Sequence, residues 1–357
     1  MVRLFHDAGV LPQLLDGETP LFITMPGETL RLADPGGVVS DSIRRTGAIH
    51  LSYAGTALPV QDVQRLYRQV IPERCSIIVA VGGGTVIDIA KIIGVAVSNR
   101  LPALENLLDN PAGFVNTVPT ICVPTTCGTG SEATHFAVVY SGGRKYSIAH
   151  QSMRPGIAIL DWRFLVALPE RIRNATVLDA LSQAIESIWA KGSNDDSRQY
   201  AVEAVGSILR GLDATTDADR LKSLQDGSYL SGKAIDISKT TAAHAISYPL
   251  TARFGIPHGI AVFLTLPGIA ELNYQVGLCD RFKLLFDLFH VDSISAFQAR
   301  LRDIMAGMGF SARLSDWGVA DGDLSAIAAE SITPGRSDNN PAVVSPELVL
   351  KLLRSIM

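Results

Sequence analysis

The stretch "SIIVAVGGGTVIDIAKIIGVAV", residues 76–97, limits what this chain can fold into more than any other. An apolar run rich in β-branched residues stops at three consecutive glycines. A second apolar run follows, with Asp88 and Lys91 inside it. The glycines and the two charges make this a strand, a tight loop and a helix rather than a membrane span. A strand that is apolar on both sides of its pleat must be covered on both faces, as parallel sheets are. The same pattern recurs in "PLFITMPGE", "TVPTICVPTT" and "GIAILD", and helical patterns such as "VQDVQRLYRQVIP" lie between them. Strands alternating with helices predict an α/β domain built on a parallel sheet, Rossmann-like in kind.

After Pro169 the pattern changes. "ERIRNATVLDALSQAIESIWA", "DSRQYAVEAVGSILRGL" and the segments beyond them have helical periods and no convincing strand. The expected division is an α/β domain over residues 1–164 and an all-α helical domain over 165–357. Charged residues make up only 18 % of the chain and the net charge is -4, so nothing in its electrostatics favours nucleic acid. The four cysteines form no CxxC pair, and the N-terminal stretch lacks the apolar run of a signal peptide. Both features lead to the expectation of a reduced, cytoplasmic protein without a membrane partner. A homodimer is the default expectation for its assembly.

Two loops point to phosphate. Gly82, Gly83, Gly84 and Thr85 follow one apolar strand and open a helix. Glycines let the backbone approach a ligand closely, and a helix N-terminus offers free N–H groups to an anion. Alone, the triplet is equally compatible with an ordinary tight turn. A second loop, "VPTTCGTGSE", again runs from an apolar strand into hydroxyls and glycines, with Thr125, Thr126, Thr129 and Ser131 among them. Two such loops in one α/β domain suit a molecule with two phosphates, such as a dinucleotide.

The helical half offers a metal site. Asp179, Gln183 and Glu186 stand at i, i+4 and i+7, a polar stripe among apolar neighbours. Buried carboxylates need partners, and a divalent cation is one. His244 and His258, fourteen residues apart, could complete a mixed carboxylate–imidazole set suited to zinc or iron(II). Spacing leaves an alternative open: hydrogen-bonded core histidines, with Asp179 as a helix cap or an ion-pair partner.

Taken together and in order, "GGGTVIDIAK", "PTTCGTGSEAT", "DALSQAIES" and "HAISYPLTARFGIPHG" resemble the iron-containing (group III) alcohol dehydrogenase family, related in fold to dehydroquinate synthase. The resemblance implies NADH or NADPH, and a divalent metal, Fe2+ or Zn2+, in a cleft between two domains. It implies Gly82, Gly83, Gly84 and Thr85 at the pyrophosphate, with Asp88 close by. Thr125, Thr126, Thr129 and Ser131 would lie near the cofactor and Lys145 near the nicotinamide ribose. The implied metal positions are Asp179, Gln183, His244 and His258. Two positions depart from the family pattern: Gln183 stands where a histidine is usual, and Tyr248 where another is typical. Both departures, with "KYSIAH" and "SDNNPAVVS", resemble a branch that reduces phosphonoacetaldehyde. For so small an anionic aldehyde, Lys239 and Arg253 are the expected anion partners, with Arg336 a more distant one. Tyr248 is the expected proton relay. The alternatives are a general alcohol dehydrogenase, a maleylacetate-type reductase, a dehydroquinate synthase-like cyclase and a metal-free homologue.

Overall fold

Burial on both sides of a sheet determines the architecture of the first half. The computed structural model describes residues 2–55, 57–71, 74–110, 113–142 and 144–357. Eight strands occur among them: β1 (Arg3–Phe5), β2 (Pro20–Thr24), β3 (Ile49–Ser52), β4 (Ile77–Gly82), β5 (Thr120–Pro124), β6 (Phe136–Ser141), β7 (Arg144–Ala149) and β8 (Ile157–Ile159). Six form one sheet in the order β1-β8-β5-β4-β2-β3, and every neighbouring pair is parallel. Strands β6 and β7 form a separate antiparallel hairpin.

Strand β4 shows why the sheet is doubly covered. Its residues alternate between two cores. Ile78 and Ala80 pack with Ile87 and Ile93 of the Gly84–Asn99 helix. Ile77, Val79 and Val81 pack with Leu11, Phe22 and Phe164 on the other side. Fully burying one such aliphatic side chain stabilises the fold by roughly 1.5–3 kcal/mol. The apolar runs around β2, β4 and β5 thus form the centre of the sheet, as their sequence predicts. Strands β1 and β3 and the hairpin are additions. Their three to six residues carry too little apolar pattern to stand out in sequence.

The chain separates into two compact units, Met1–Leu168 with Thr215–Gln225, and Pro169–Ala214 with Asp226–Met357. The second unit is helical. Its central helix, Glu170–Trp189, is buried at every position from Val177 to Trp189, including the polar Asp179, Ser182, Gln183, Glu186 and Ser187. A helix apolar all round belongs in a core, so these polar groups must find partners inside it. No helix among the described residues is long and apolar enough to cross a membrane.

Candidate active site

In the first unit the two glycine-rich loops touch. Strand β4 ends at Gly82, and Gly83 caps a helix that has no side-chain hydrogen bond at its N-cap. A Cβ on Gly84 would lie 2.6 Å from Thr129 Oγ1, and one on Gly83 would lie 3.2 Å from Thr126. Only glycine allows this approach, and it brings Thr126 and Thr129 of the second loop against the helix N-terminus. The backbone N–H of Thr125 donates to Gly82 O at 3.1 Å, so the loops are also linked through their main chains. Gln225 Nε2 donates to Pro124 O at 3.3 Å and fixes the end of β5.

Asp88 and Ser131 serve this arrangement as braces. Ser131 Oγ donates to Asp88 Oδ1 at 2.5 Å, and Asp88 Oδ2 accepts from Val138 N at 2.9 Å. Beneath them lies Lys91, fully buried. Its Nζ donates to Ser131 Oγ and Thr134 Oγ1, both at 2.9 Å, and to Phe136 O at 2.8 Å. Asp88 Oδ1 stands 3.8 Å from the same ammonium. Sequence reasoning missed Lys91 as a site residue, although a lysine three residues after an aspartate in an apolar helix was the available signal. Glu132 of the second loop is also fully enclosed. Burial pushes its carboxyl up to about 7, against the opposing charge of Lys91. Lys145 falls on β7, and its side chain lies outside the described residues.

In the second unit three helices contribute to one point. Asp179 comes from the Glu170–Trp189 helix, His244 from the first turn of Ala242–Phe254, and His258 opens His258–Gln275. One donor atom from each of the three lies within 4.8 Å of the others. His244 Nε2 is 3.4 Å from Asp179 Oδ1, and His258 Nε2 is 3.9 Å from the same oxygen. The imidazole centroids are 5.4 Å apart. Gly259 makes this possible. A Cβ there would lie 2.0 Å from Ala175 O and 2.9 Å from Asp179 Cβ, so the two helix backbones meet beside the histidine.

The far nitrogens of both rings are held. His244 Nδ1 meets Glu186 Oε2 in a short contact, while Glu186 Oε1 accepts from Thr241 Oγ1 at 2.6 Å and Ala243 N at 2.9 Å. His258 Nδ1 lies 3.3 Å from Ser247 Oγ. The Ser247 hydroxyl proton is already given to His244 O at 2.7 Å, so Nδ1 of His258 must be the donor. Both rings therefore turn Nε2 toward Asp179.

His244 Nε2 is buried and has no hydrogen-bond partner. Burial disfavours the His244 cation, but the charges of Glu186 and Asp179 outweigh it and raise the imidazole to about 9. Glu186 is likewise opposed by burial, and the His244 charge holds its carboxyl below the usual range. An unmatched ring nitrogen, a carboxylate and a second oriented imidazole fit a divalent cation, which would take the proton's place at Nε2. His258 is 37 % exposed, which leaves one side of the cluster accessible.

Of the other expected residues, Tyr248 stands beside the cluster and Arg253 is engaged by carboxylates. Gln183 is buried one turn from Asp179, and its Oε1 accepts from Ser231 Oγ at 3.2 Å. The Tyr248 ring lies nearly parallel to His258, 6.2 Å between centroids. Arg253 is turned away to Glu330 at 3.3 Å and Asp323 at 4.0 Å. Lys239 is exposed and holds a left-handed backbone, φ 59°. The carbonyls on both sides of it, Ser238 O and Thr240 O, accept from Asn339 Nδ2 at 2.9 and 3.0 Å.

Comparison with known proteins agrees with this geometry. Residues 11–162 match the family described as iron-containing alcohol dehydrogenase, and residues 174–357 match the Fe-containing alcohol dehydrogenase family, C-terminal. The chain is 31 % identical to a phosphonoacetaldehyde reductase of Streptomyces viridochromogenes, over 88 % of this chain and 84 % of that one. It is 29 % identical to a sulfoacetaldehyde reductase of Bilophila wadsworthia, over 78 % and 76 %. Among solved structures, sulfoacetaldehyde reductase from Bifidobacterium kashiwanohense in complex with NAD+ superposes with a TM-score of 0.88 at 24 % identity, covering 99 % of this chain and 96 % of that one. The chain belongs to the iron-containing alcohol dehydrogenase family, oxidoreductases acting on CH–OH groups.

Proposed function

We propose that this protein is an NAD(P)H-linked reductase of a small anionic aldehyde, with phosphonoacetaldehyde reduced to 2-hydroxyethylphosphonate as the leading reaction. The observation that carries the reading is the convergence of Asp179 Oδ1, His244 Nε2 and His258 Nε2 on one partly open point. A divalent cation held by these three residues supplies Lewis acidity to a carbonyl group. The N–H groups after Gly83, with Thr126 and Thr129 beside them, hold the pyrophosphate of the nicotinamide dinucleotide. The balance is aldehyde, reduced nicotinamide and one proton giving alcohol and oxidised nicotinamide. Tyr248, stacked on His258, passes that proton from solvent.

Lys239 supplies the anion preference. A left-handed lysine is strained, and such strain persists only where surrounding contacts hold it. Asn339 supplies two of them. It also accepts from Gly192 N at 3.0 Å through Oδ1, which ties the Lys239 turn to the end of the Glu170–Trp189 helix. The ammonium of Lys239 is thus carried on a fixed turn, three residues before the start of the helix that bears His244. Arg253 is already engaged by two carboxylates, so Lys239 is the anion-binding residue we assign. The named relatives that act on phosphonoacetaldehyde and sulfoacetaldehyde support an anionic substrate class.

The test follows oxidation of NADH and of NADPH with phosphonoacetaldehyde, sulfoacetaldehyde and acetaldehyde. The proposal expects kcat/KM for one of the two anions to exceed that for acetaldehyde by at least about 100-fold, the worth of one charge-assisted contact of roughly 3 kcal/mol. Lys239→Ala should remove most of that preference through KM. Equal turnover of all three aldehydes would overturn the anion assignment, and a preference for sulfoacetaldehyde would replace the phosphonate by a sulfonate.

A further inference from the structure

The two imidazoles of the metal site are backed unequally. His258 has the hydroxyl of Ser247 behind its Nδ1, at 3.3 Å. His244 has a fully buried carboxylate, Glu186, whose other oxygen is fixed by Thr241 Oγ1 and Ala243 N. Thr241 Oγ1 in turn accepts from Trp189 Nε1 at 3.1 Å. Trp189, Thr241, Glu186 and His244 form one buried chain of hydrogen bonds that ends at Nε2. On the Asp179 side, Gln183 offers only a neutral amide that is already bonded to Ser231.

We infer that Glu186 is the positioning residue that sets the metal affinity of this site, and that the hydrogen-bond chain behind it makes occupancy readable at Trp189. A carboxylate behind an imidazole fixes its orientation, commits the proton to Nδ1 and raises the basicity of the opposite nitrogen. Here the structure places a carboxylate behind His244 and a hydroxyl behind His258. The geometry makes Glu186→Gln a sharp test. The oxygen that faces Thr241 and Ala243 must remain an acceptor, because both groups donate to it. The substituted amide is therefore forced to turn its NH2 toward His244 Nδ1. A neutral imidazole would then accept at Nδ1 and carry its proton on Nε2, where it cannot bind metal.

The experiment uses the full chain, stripped with a chelator and titrated with Zn2+ against a competing chelator. Glu186→Gln should weaken Zn2+ binding 10- to 100-fold or more, while Ser247→Ala should weaken it less than fivefold. In a Trp162→Phe, Trp317→Phe background, Zn2+ should change the emission of Trp189, and Thr241→Val should abolish that change with metal still bound. Equal affinities for native and Glu186→Gln protein, or an equal loss in Ser247→Ala, would overturn the inference. Should Glu186→Gln not fold, the Trp189 response decides: its survival in Thr241→Val breaks the chain, and its loss upholds it. The inference rests on the proposed metal site. A native protein that binds no Zn2+ sinks that site itself, whereas a native protein that binds as tightly as Glu186→Gln sinks only the role of Glu186.

Discussion

The glycine-rich loops and the Asp179, His244 and His258 cluster are built from opposite materials. In the first unit the loops are backbone and small hydroxyls, and the charged groups lie behind them: Asp88 and the buried ammonium of Lys91 brace the loops from below. In the second unit the surface consists of charged and ring side chains on long helices, and what lies behind is a carboxylate and a hydroxyl that orient them. The first arrangement fixes the shape of two loops against each other. The second brings three donor atoms to one point.

The largest effect should come from removing one of those atoms. His258→Ala should lower kcat by about 1,000-fold or more, the loss of several kcal/mol of carbonyl polarisation. Binding of reduced nicotinamide, followed by fluorescence, should stay within twofold. A comparable loss of nucleotide binding would show that the two regions are not independent in this way.

Lys91→Met reverses the comparison. It leaves Ser131, Thr134 and Phe136 O without their buried donor, at about 3–5 kcal/mol for one member of a buried charged network. Thermal unfolding should move down and nicotinamide binding should weaken, with Zn2+ affinity retained. Unchanged melting would mean that Lys91 braces nothing.

Glu132 gives a pH effect of middle size. Its carboxyl moves from 4.5 when unfolded to about 7 when buried, so the folded state holds a proton that the unfolded state releases. This contribution to stability is complete below pH 4.5 and is lost as pH rises through 7, about 3 kcal/mol in all. Glu132→Gln should flatten the difference in melting between pH 5 and pH 8, and an unaltered slope would place the titration elsewhere.

The smallest effect expected is at Gln183. Gln183→His should tighten Zn2+ binding about tenfold, near 1.4 kcal/mol, if the imidazole reaches the cluster as a fourth donor. Weaker binding would mean that the bond to Ser231 is worth more than the added ligand.

How much of this was legible in the sequence differs between the two regions. Contiguous apolar runs expose β2, β4 and β5 directly, because a doubly covered strand cannot hide its composition. The loops after β4 and β5 followed from their glycines and hydroxyls. The contact between them did not, since Gly84 and Thr129 are far apart in sequence and meet only through the β4–β5 pairing. In the helical half, residue types and spacing made Asp179 and the two histidines a candidate metal set but left hydrogen-bonded core histidines open, and the family resemblance favoured the metal. Glu186 was visible as part of a polar stripe, but its task depends on Thr241 and Ala243, more than fifty residues later. Arg253 shows the reverse limit: an arginine between two histidines suggests an anion site, yet Glu330 and Asp323 claim it.

Gly259 carries a consequence of its own. With Ala175 O only 2.0 Å from where a methyl carbon would be, the two helices cross more closely than any residue but glycine would allow. A side chain at this position would have to push the helices apart, so the spacing of Asp179 and His258 depends on glycine at 259. Any redesign of the distance between these two donors would have to proceed through residues other than the one at the crossing.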